Sequence, residues 1–270
     1  MGKWKRTITE TTGIATIGER VPVSMVLIRN GFIVRTGNGG KSMRILKNSD
    51  ATIKVIPEYT TDKQLRVRVE KNGRKDNYFY YGDGNDVFPL KYGSGKYTVT
   101  LYKQHIGDIC NKVTSVTFTV KQDPDKKWML EPNQYAPWTS DSQIVAKATE
   151  LYNDAGTEDK YIDSLKKWVT RRTVYDYLRA VRVRKGKEPP IDPERCFRTH
   201  IGICGDIASM TVIMLRSQGI PATFVLGKVK GGDHAWVKIY AKSGTVIFDP
   251  TAVVLNQGIA STEYKQTAEY

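Results

Sequence analysis

The sequence predicts two domains. An all-β sandwich of immunoglobulin-like type spans residues 1–122, an α+β domain spans 140–270, and a linker at 123–139 joins them. Three observations carry this reading. From about residue 20 to 122, apolar and polar residues alternate, which is the period of half-buried strands. From 140 onward the apolar spacing becomes helical, and three strand-like runs follow. Between the two regimes lies "KQDPDKKWMLEPNQYAPW", with three prolines that break either pattern.

The strands come first. Leu65, Val67 and Val69 alternate with Arg66, Arg68 and Glu70; Tyr97, Val99 and Leu101 alternate with Thr98, Thr100 and Tyr102; Val116, Phe118 and Val120 alternate with Thr117 and Thr119. Asn72-Gly73, "GDGND" and "YGSGKY" supply turns between them. Short strands at this spacing form antiparallel sandwiches. Helices follow. Ser140 and Gln143 fit a capping box ahead of "QIVAKATELYND". Ile162, Leu165, Trp168 and Val169 share one helical face. Asp192 suits a cap and Pro193 a first helical turn. From Cys204 to Gln218 an apolar stripe runs through Ile207, Ala208, Thr211, Met214 and Leu215, stopped by Gly219 and Pro221. The runs "ATFVLGKV", "HAWVKIYA" and "TVIFDPTA" then read as strands, the last two as a hairpin through Ser243-Gly244.

Composition narrows the function. A chain of 270 residues, 40% hydrophobic and 26% charged, is long enough to bury a core. The mean hydropathy is −0.44, and no apolar run approaches the ~18–20 residues of a membrane-spanning helix. "MGKWKRTITETTG" has no apolar stretch of the kind a signal peptide needs, and Arg6 breaks the myristoylation pattern begun by Met1-Gly2. The net charge of +14 favours polyanionic partners such as an anionic cell-wall polymer. The densest basic run, "LRAVRVRKGK", lacks interleaved aromatics, so a nucleic-acid partner is not expected. Cys110, Cys196 and Cys204 show no Cys-x-x-Cys and the three histidines do not cluster, so neither zinc nor a disulfide framework is expected. No cofactor is called for.

Cys204 sits where a helix begins. Such a terminus carries a partial positive charge and stabilises a thiolate, the nucleophilic form of cysteine. A nearby imidazole can hold the proton, and a carboxylate can orient that imidazole. His234 opens a strand 30 residues on, and Asp249 closes the next strand 15 residues later. Backbone N–H groups at the helix start could donate to an oxyanion. Taken singly, Cys204 also fits a small buried side chain, His234 a partly buried polar one, and Asp249 a turn. Asp206 fits a helix-end charge, and Asp233 competes with Asp249 as orienter. Trp236 points the same way as His234.

Four ordered blocks set these residues in a pattern: "GICGDIASM", the exit "LRSQGIPA", the strand "DHAWVKIY" and "IFDPTA". Together they resemble the transglutaminase-like superfamily of papain-like cysteine enzymes over about residues 140–255. The resemblance implies a papain-like transglutaminase core with Cys204 as nucleophile, His234 as base and acid, and Asp249 as orienter. "YDYLRA" resembles the segment ahead of the core in bacterial members, and "VFPLKYGSGKYTVTLY" resembles their β-sandwich partner. Two departures stand out. Gly205 follows the nucleophile where an aromatic is frequent, and Val246-Ile247-Phe248 lead to Asp249 where a Trp is frequent. Gly205, Asp206 and Trp236 are expected to line the cleft. The implied chemistry is acyl transfer or hydrolysis at a protein or peptide amide through a thioester. The alternative is a catalytically idle binding or assembly module at the bacterial surface. The implied setting is secreted or cell-surface, with the cytoplasm as alternative.

Overall fold

A computed structural model describes residues 24–28, 31–38, 41–49, 51–58, 60–84, 86–106, 109–121, 127–185, 191–230, 232–258 and 263–270. The readings made on Met1-Gly2 and Arg6, on Asn85 of "GDGND", on linker residues 123–126 and on Gly186-Lys187 of the basic run lie outside these.

The N-terminal region is built of antiparallel sheets. β1 (Ser24–Ile28), β2 (Gly31–Asn38), β3 (Lys41–Lys47), β4 (Thr52–Pro57) and β7 (Val87–Pro89) form one sheet in that order. β5 (Leu65–Lys71), β6 (Arg74–Tyr80), β8 (Gly95–Ile106) and β9 (Ile109–Val120) form a second, in the order β6-β5-β8-β9. The alternation read in the sequence is the inward face: Val67, Val69, Tyr97, Val99, Leu101, Val116 and Phe118 are buried with Met43, Ile45, Ile53 and Val55 of the first sheet. Asn72 and Gly73, both with positive φ (51° and 76°), make the tight turn joining β5 to β6.

The prolines of the connecting segment do not make it a loose tether. Residues Lys127–Leu130 form a 3₁₀ turn, and Trp128, Tyr135 and Ala136 are buried. Tyr135 stacks on Tyr270 with ring centroids 3.9 Å apart, and Tyr270 meets Tyr78 of β6 at 5.2 Å. One apolar core therefore runs from the β-sheets into the C-terminal region.

That region is α+β. α1 (Gln143–Ala155) is capped by Ser142, not Ser140: Ser142 Oγ accepts from Ile144 N at 3.2 Å. α2 (Glu158–Arg172) buries Ile162, Leu165 and Val169. A two-residue parallel ladder follows, β10 (Val174–Tyr175) with β11 (Ile201–Gly202), which no apolar pattern announced. Between its strands lie α3 (Tyr177–Arg184) and α4 (Pro193–Thr199), the latter capped by Asp192 with Pro193 in its first turn. α5 (Cys204–Ser217) then packs on a four-stranded antiparallel sheet of order β14-β13-β12-β15. Its members are β12 (Ala222–Val229), β13 (Gly232–Ala241), β14 (Gly244–Phe248) and β15 (Lys265–Glu269). α5 is buried from Gly205 to Arg216 on every side rather than on one stripe, because α1, α2 and α4 cover the face turned away from the sheet. β15 was invisible in the sequence. "KQTAE" is an exposed edge strand, and its polar residues carry no alternation.

Candidate active site

α5 fixes the cysteine. Cys204 is its first residue and is only partly buried, whereas the eleven helical positions from Gly205 to Leu215 are buried. Its N–H is among the first-turn donors that a helix leaves without an intrahelical partner. β13 fixes the histidine. His234 and Trp236 project from the same face, with ring centroids 6.2 Å apart. The Asp249 backbone is not the register partner of His234, since Phe248 pairs with Val237 and the strand ends there. Asp249 instead leaves β14 as the cap of a short helix, α6 (Pro250–Val254). Its two oxygens divide the work. Oδ1 accepts from Ala252 N at 3.0 Å, closing the cap, while Oδ2 lies 2.6 Å from His234 Nε2. Pro250, at the first helical position, lacks only an N–H that would have no intrahelical partner.

The Cys204 side chain also acts on His234, favouring its protonated form together with Asp249. With Nε2 on Asp249, Nδ1 is the nitrogen left to face the sulfur. Burial alone would push the imidazole down, but the hydrogen bond to Asp249 and the negative charges of Asp249 and Cys204 overcome it, and the pKa is raised to about 9. The site thus brings together the three residues singled out in the sequence. The rival orienter, Asp233, is solvent-exposed and lies 3.6 Å from Lys228 Nζ.

Residues 145–250 match the family model of the transglutaminase-like superfamily. This segment is a transglutaminase-like domain. Of the curated proteins, the chain is similar to YebA of Bacillus subtilis (strain 168), 32% identical over 239 residues. The match takes in 71% of this chain but only 31% of YebA. Among solved structures it is similar to a candidate cysteine protease from Cytophaga hutchinsonii (TM-score 0.43, 16% identity, 78% of this chain and 72% of that one). It is also similar to the periplasmic domain of TgpA from Pseudomonas aeruginosa bound to ethylmercury (TM-score 0.38, 15% identity, 73% and 92%).

The transglutaminase-like domain supports its site from behind with residues expected to line it. Asp206 has no exposed surface, and Gly205 and Trp236 are also buried. The Asp206 carboxylate accepts from Ile203 N at 3.0 Å and Asp192 N at 2.7 Å. It also takes two bonds from Arg179, Nε at 2.8 Å and Nη2 at 3.0 Å. A residue in the first turn of α5 therefore ties the helix start to α3 and to the loop ahead of α4. Arg179 belongs to the densest basic run of the sequence, yet it is 1% exposed.

Gly202, just upstream, makes this tie possible. A Cβ there would lie 2.6 Å from Cys196 Sγ and 3.1 Å from Asp206 Cβ. Burial pushes the Cys196 thiol up to about 12, so it is a packed side chain and not a second nucleophile. Trp236 lies under the site, edge-on to Tyr264 at 5.0 Å.

Sequence reasoning missed Tyr264. Its hydroxyl donates to Asp249 Oδ2 at 3.0 Å, so that oxygen receives both the imidazole and the phenol. Burial and the Asp249 charge raise the phenol well above its ordinary value, keeping it a donor. No motif marked it, because it lies beyond the matched segment, just ahead of the unpatterned β15. Among the described residues no group of three or more His, Cys, Asp and Glu could hold a metal ion. Among them too, no helix is long and apolar enough to cross a membrane.

Proposed function

We propose that this chain is a cysteine enzyme acting on a protein or peptide amide through a thioester on Cys204. The observation that carries the reading is one imidazole held at 2.6 Å by a buried carboxylate and acted on by a cysteine at a helix start. The Cys204 thiolate attacks the amide carbonyl, forming the S–C bond. The oxygen takes the electron pair beside the first N–H groups of α5. The imidazolium of His234 gives its proton to the departing amine as the C–N bond breaks. The neutral imidazole then removes a proton from the second nucleophile. Water gives the acid, by hydrolysis or deamidation, and a primary amine gives a new amide. Asp249 keeps Nδ1 toward the sulfur and stabilises the imidazolium, and Tyr264 holds Asp249. Two-domain architecture with an immunoglobulin-like sandwich belongs to the same reading, as does an exported or surface setting.

The test is mass spectrometry of a glutamine-rich protein such as β-casein, incubated with the enzyme and a primary amine. Amine incorporation indicates transglutamination, conversion of glutamine to glutamate indicates deamidation, and new peptide termini indicate proteolysis. Each must vanish in Cys204→Ala. Product at wild-type level in that variant, or no product with any of a panel of unfolded proteins, overturns the reading.

A further inference from the structure

α3 is inside out. Its buried face carries a guanidinium, Arg179, while its large apolar residues face solvent: Tyr177 is 66% exposed, Leu178 73% and Val181 45%. Soluble helices pack such side chains inward and keep arginine out. Burial of Arg179 is accounted for by Asp206. Among the described residues nothing covers the others, and they are not scattered. At 100° per residue, Tyr177, Leu178, Val181, Arg184 and Lys185 fall within about one third of the helix circumference. The stripe is apolar at the start of the helix and cationic at its end, and Arg184 and Lys185 are both exposed.

This stripe stands beside the nucleophile. Tyr175 pairs with Gly202 in the β10–β11 ladder, and Asp176 N donates to Gly202 O at 2.9 Å, two residues before Cys204. The Tyr175 ring meets Tyr177 edge-on at 4.9 Å. Burial raises the Tyr175 phenol to about 12, with the Cys204 charge the next contribution and Arg184 opposing it. Tyr175 thus lies between the strand that leads into Cys204, through its pairing with Gly202, and the α3 stripe, through Tyr177.

We propose that the outward face of α3, entered at Tyr175 and running through Tyr177, Leu178 and Val181 to Arg184 and Lys185, docks the acyl-donor peptide. The peptide class it fits carries an apolar side chain near the reacting amide and an acidic one beyond it. The apolar group covers Leu178 and Val181, and the carboxylate meets the cationic end of the helix. This rests on Cys204 being the nucleophile. Extended docking beside the site draws binding energy from parts of the substrate that do not react.

The probes are pentapeptides with a chloroacetyl group on a central diaminopropionate, which alkylates Cys204 as the sulfur displaces chloride. One is flanked on both sides by Leu then Glu, a second by Leu then Lys, and a third by Ser then Glu. In the full chain, the Leu-Glu peptide is expected to label Cys204 about tenfold faster than either other peptide. The Glu-over-Lys preference should collapse toward unity in Arg184→Glu. It should persist in Lys112→Glu, which makes the same change in net charge on β9. The Leu-over-Ser preference should collapse in Leu178→Ser, a change at an exposed position that the fold tolerates. Equal labelling by the three peptides in wild type overturns the proposal, as does loss of the charge preference in Lys112→Glu to the same degree as in Arg184→Glu. Iodoacetamide, too small to use the stripe, separates this from the function itself. Rapid alkylation at about pH 6 that is lost in His234→Ala, with flat peptide preferences, sinks the docking surface alone; alkylation indifferent to His234 sinks the nucleophile reading.

Discussion

At the residue scale the decisive group is His234. Its pKa is raised from 6.5 to about 9 by Asp249 and Cys204 against the cost of burial. A group that binds its proton more tightly when folded stabilises the fold while that proton is present. The contribution is therefore complete below 6.5, and it declines as pH rises through about 9. In urea titrations, the unfolding midpoint should fall between those values in the wild type. The fall should be much shallower in His234→Gln, which keeps a polar side chain without titrating. Equal slopes in both would remove the charged imidazole from the site. This residue was legible in the sequence because a strand start, a helix start and a strand end are each places where chain direction is fixed. The bond from Tyr264 to its partner Asp249 was not legible, since one hydroxyl in an unpatterned segment carries no periodic signal.

At the element scale, α5 is held by a contact that the sequence pattern misdirects. "LRAVRVRKGK" reads as a solvated basic run, yet Arg179 within it is 1% exposed and forked onto the fully buried Asp206. Charge spacing along a chain does not reveal which member meets a carboxylate 27 residues away. The same blindness applies to Asp206, legible as a helix-end charge but not as the junction of α3, α4 and α5. Replacing Arg179 by Met fills much of the volume but leaves a buried carboxylate without its cation, a defect costing about 3–5 kcal/mol. We expect a loss of that size in chemical denaturation. Because Asp206 also receives the N–H of Ile203, Cys204 alkylation should fall in protein that is still folded. Stability within 1 kcal/mol of wild type, on the order expected for a surface change, would mean that the pair does not hold the helix start. The strands show the opposite case. β5 and the 116–120 half of β9 are readable residue by residue, because a half-buried sheet imposes a local period of two on its own sequence, whereas in β8 Thr100 is buried between Val99 and Leu101.

At the scale of the whole molecule, the sequence divides more sharply than the structure does. A shift from period two to helical spacing marks where the architecture changes, but it says nothing about whether the two parts share a core. Tyr78, Tyr135 and Tyr270 come from a β-strand, the connecting segment and the residue after β15, and their rings meet in one cluster, Tyr135 stacked on Tyr270 and Tyr78 edge-on to Tyr270. Polar ties reinforce it. Gln134 N donates to Val87 O at 3.2 Å, Lys91 Nζ reaches Asp76 and the Glu269 carbonyl, both at 2.6 Å, and Arg216 Nη2 donates to Tyr270 O at 2.9 Å. Contacts of such sequence separation leave no trace in a local pattern. They should make unfolding a single event, because neither part keeps its buried aromatic surface without the other. Truncating Tyr135 to Ala removes the ring that stacks on Tyr270, a large-to-small core change worth about 3–5 kcal/mol. In calorimetry the wild type should give one transition. Tyr135→Ala should give two, the earlier one accompanied by loss of Cys204 alkylation if the C-terminal region melts first. A single transition that merely shifts downward in the variant would mean that the two regions are coupled through the polar ties and not through the aromatic stack.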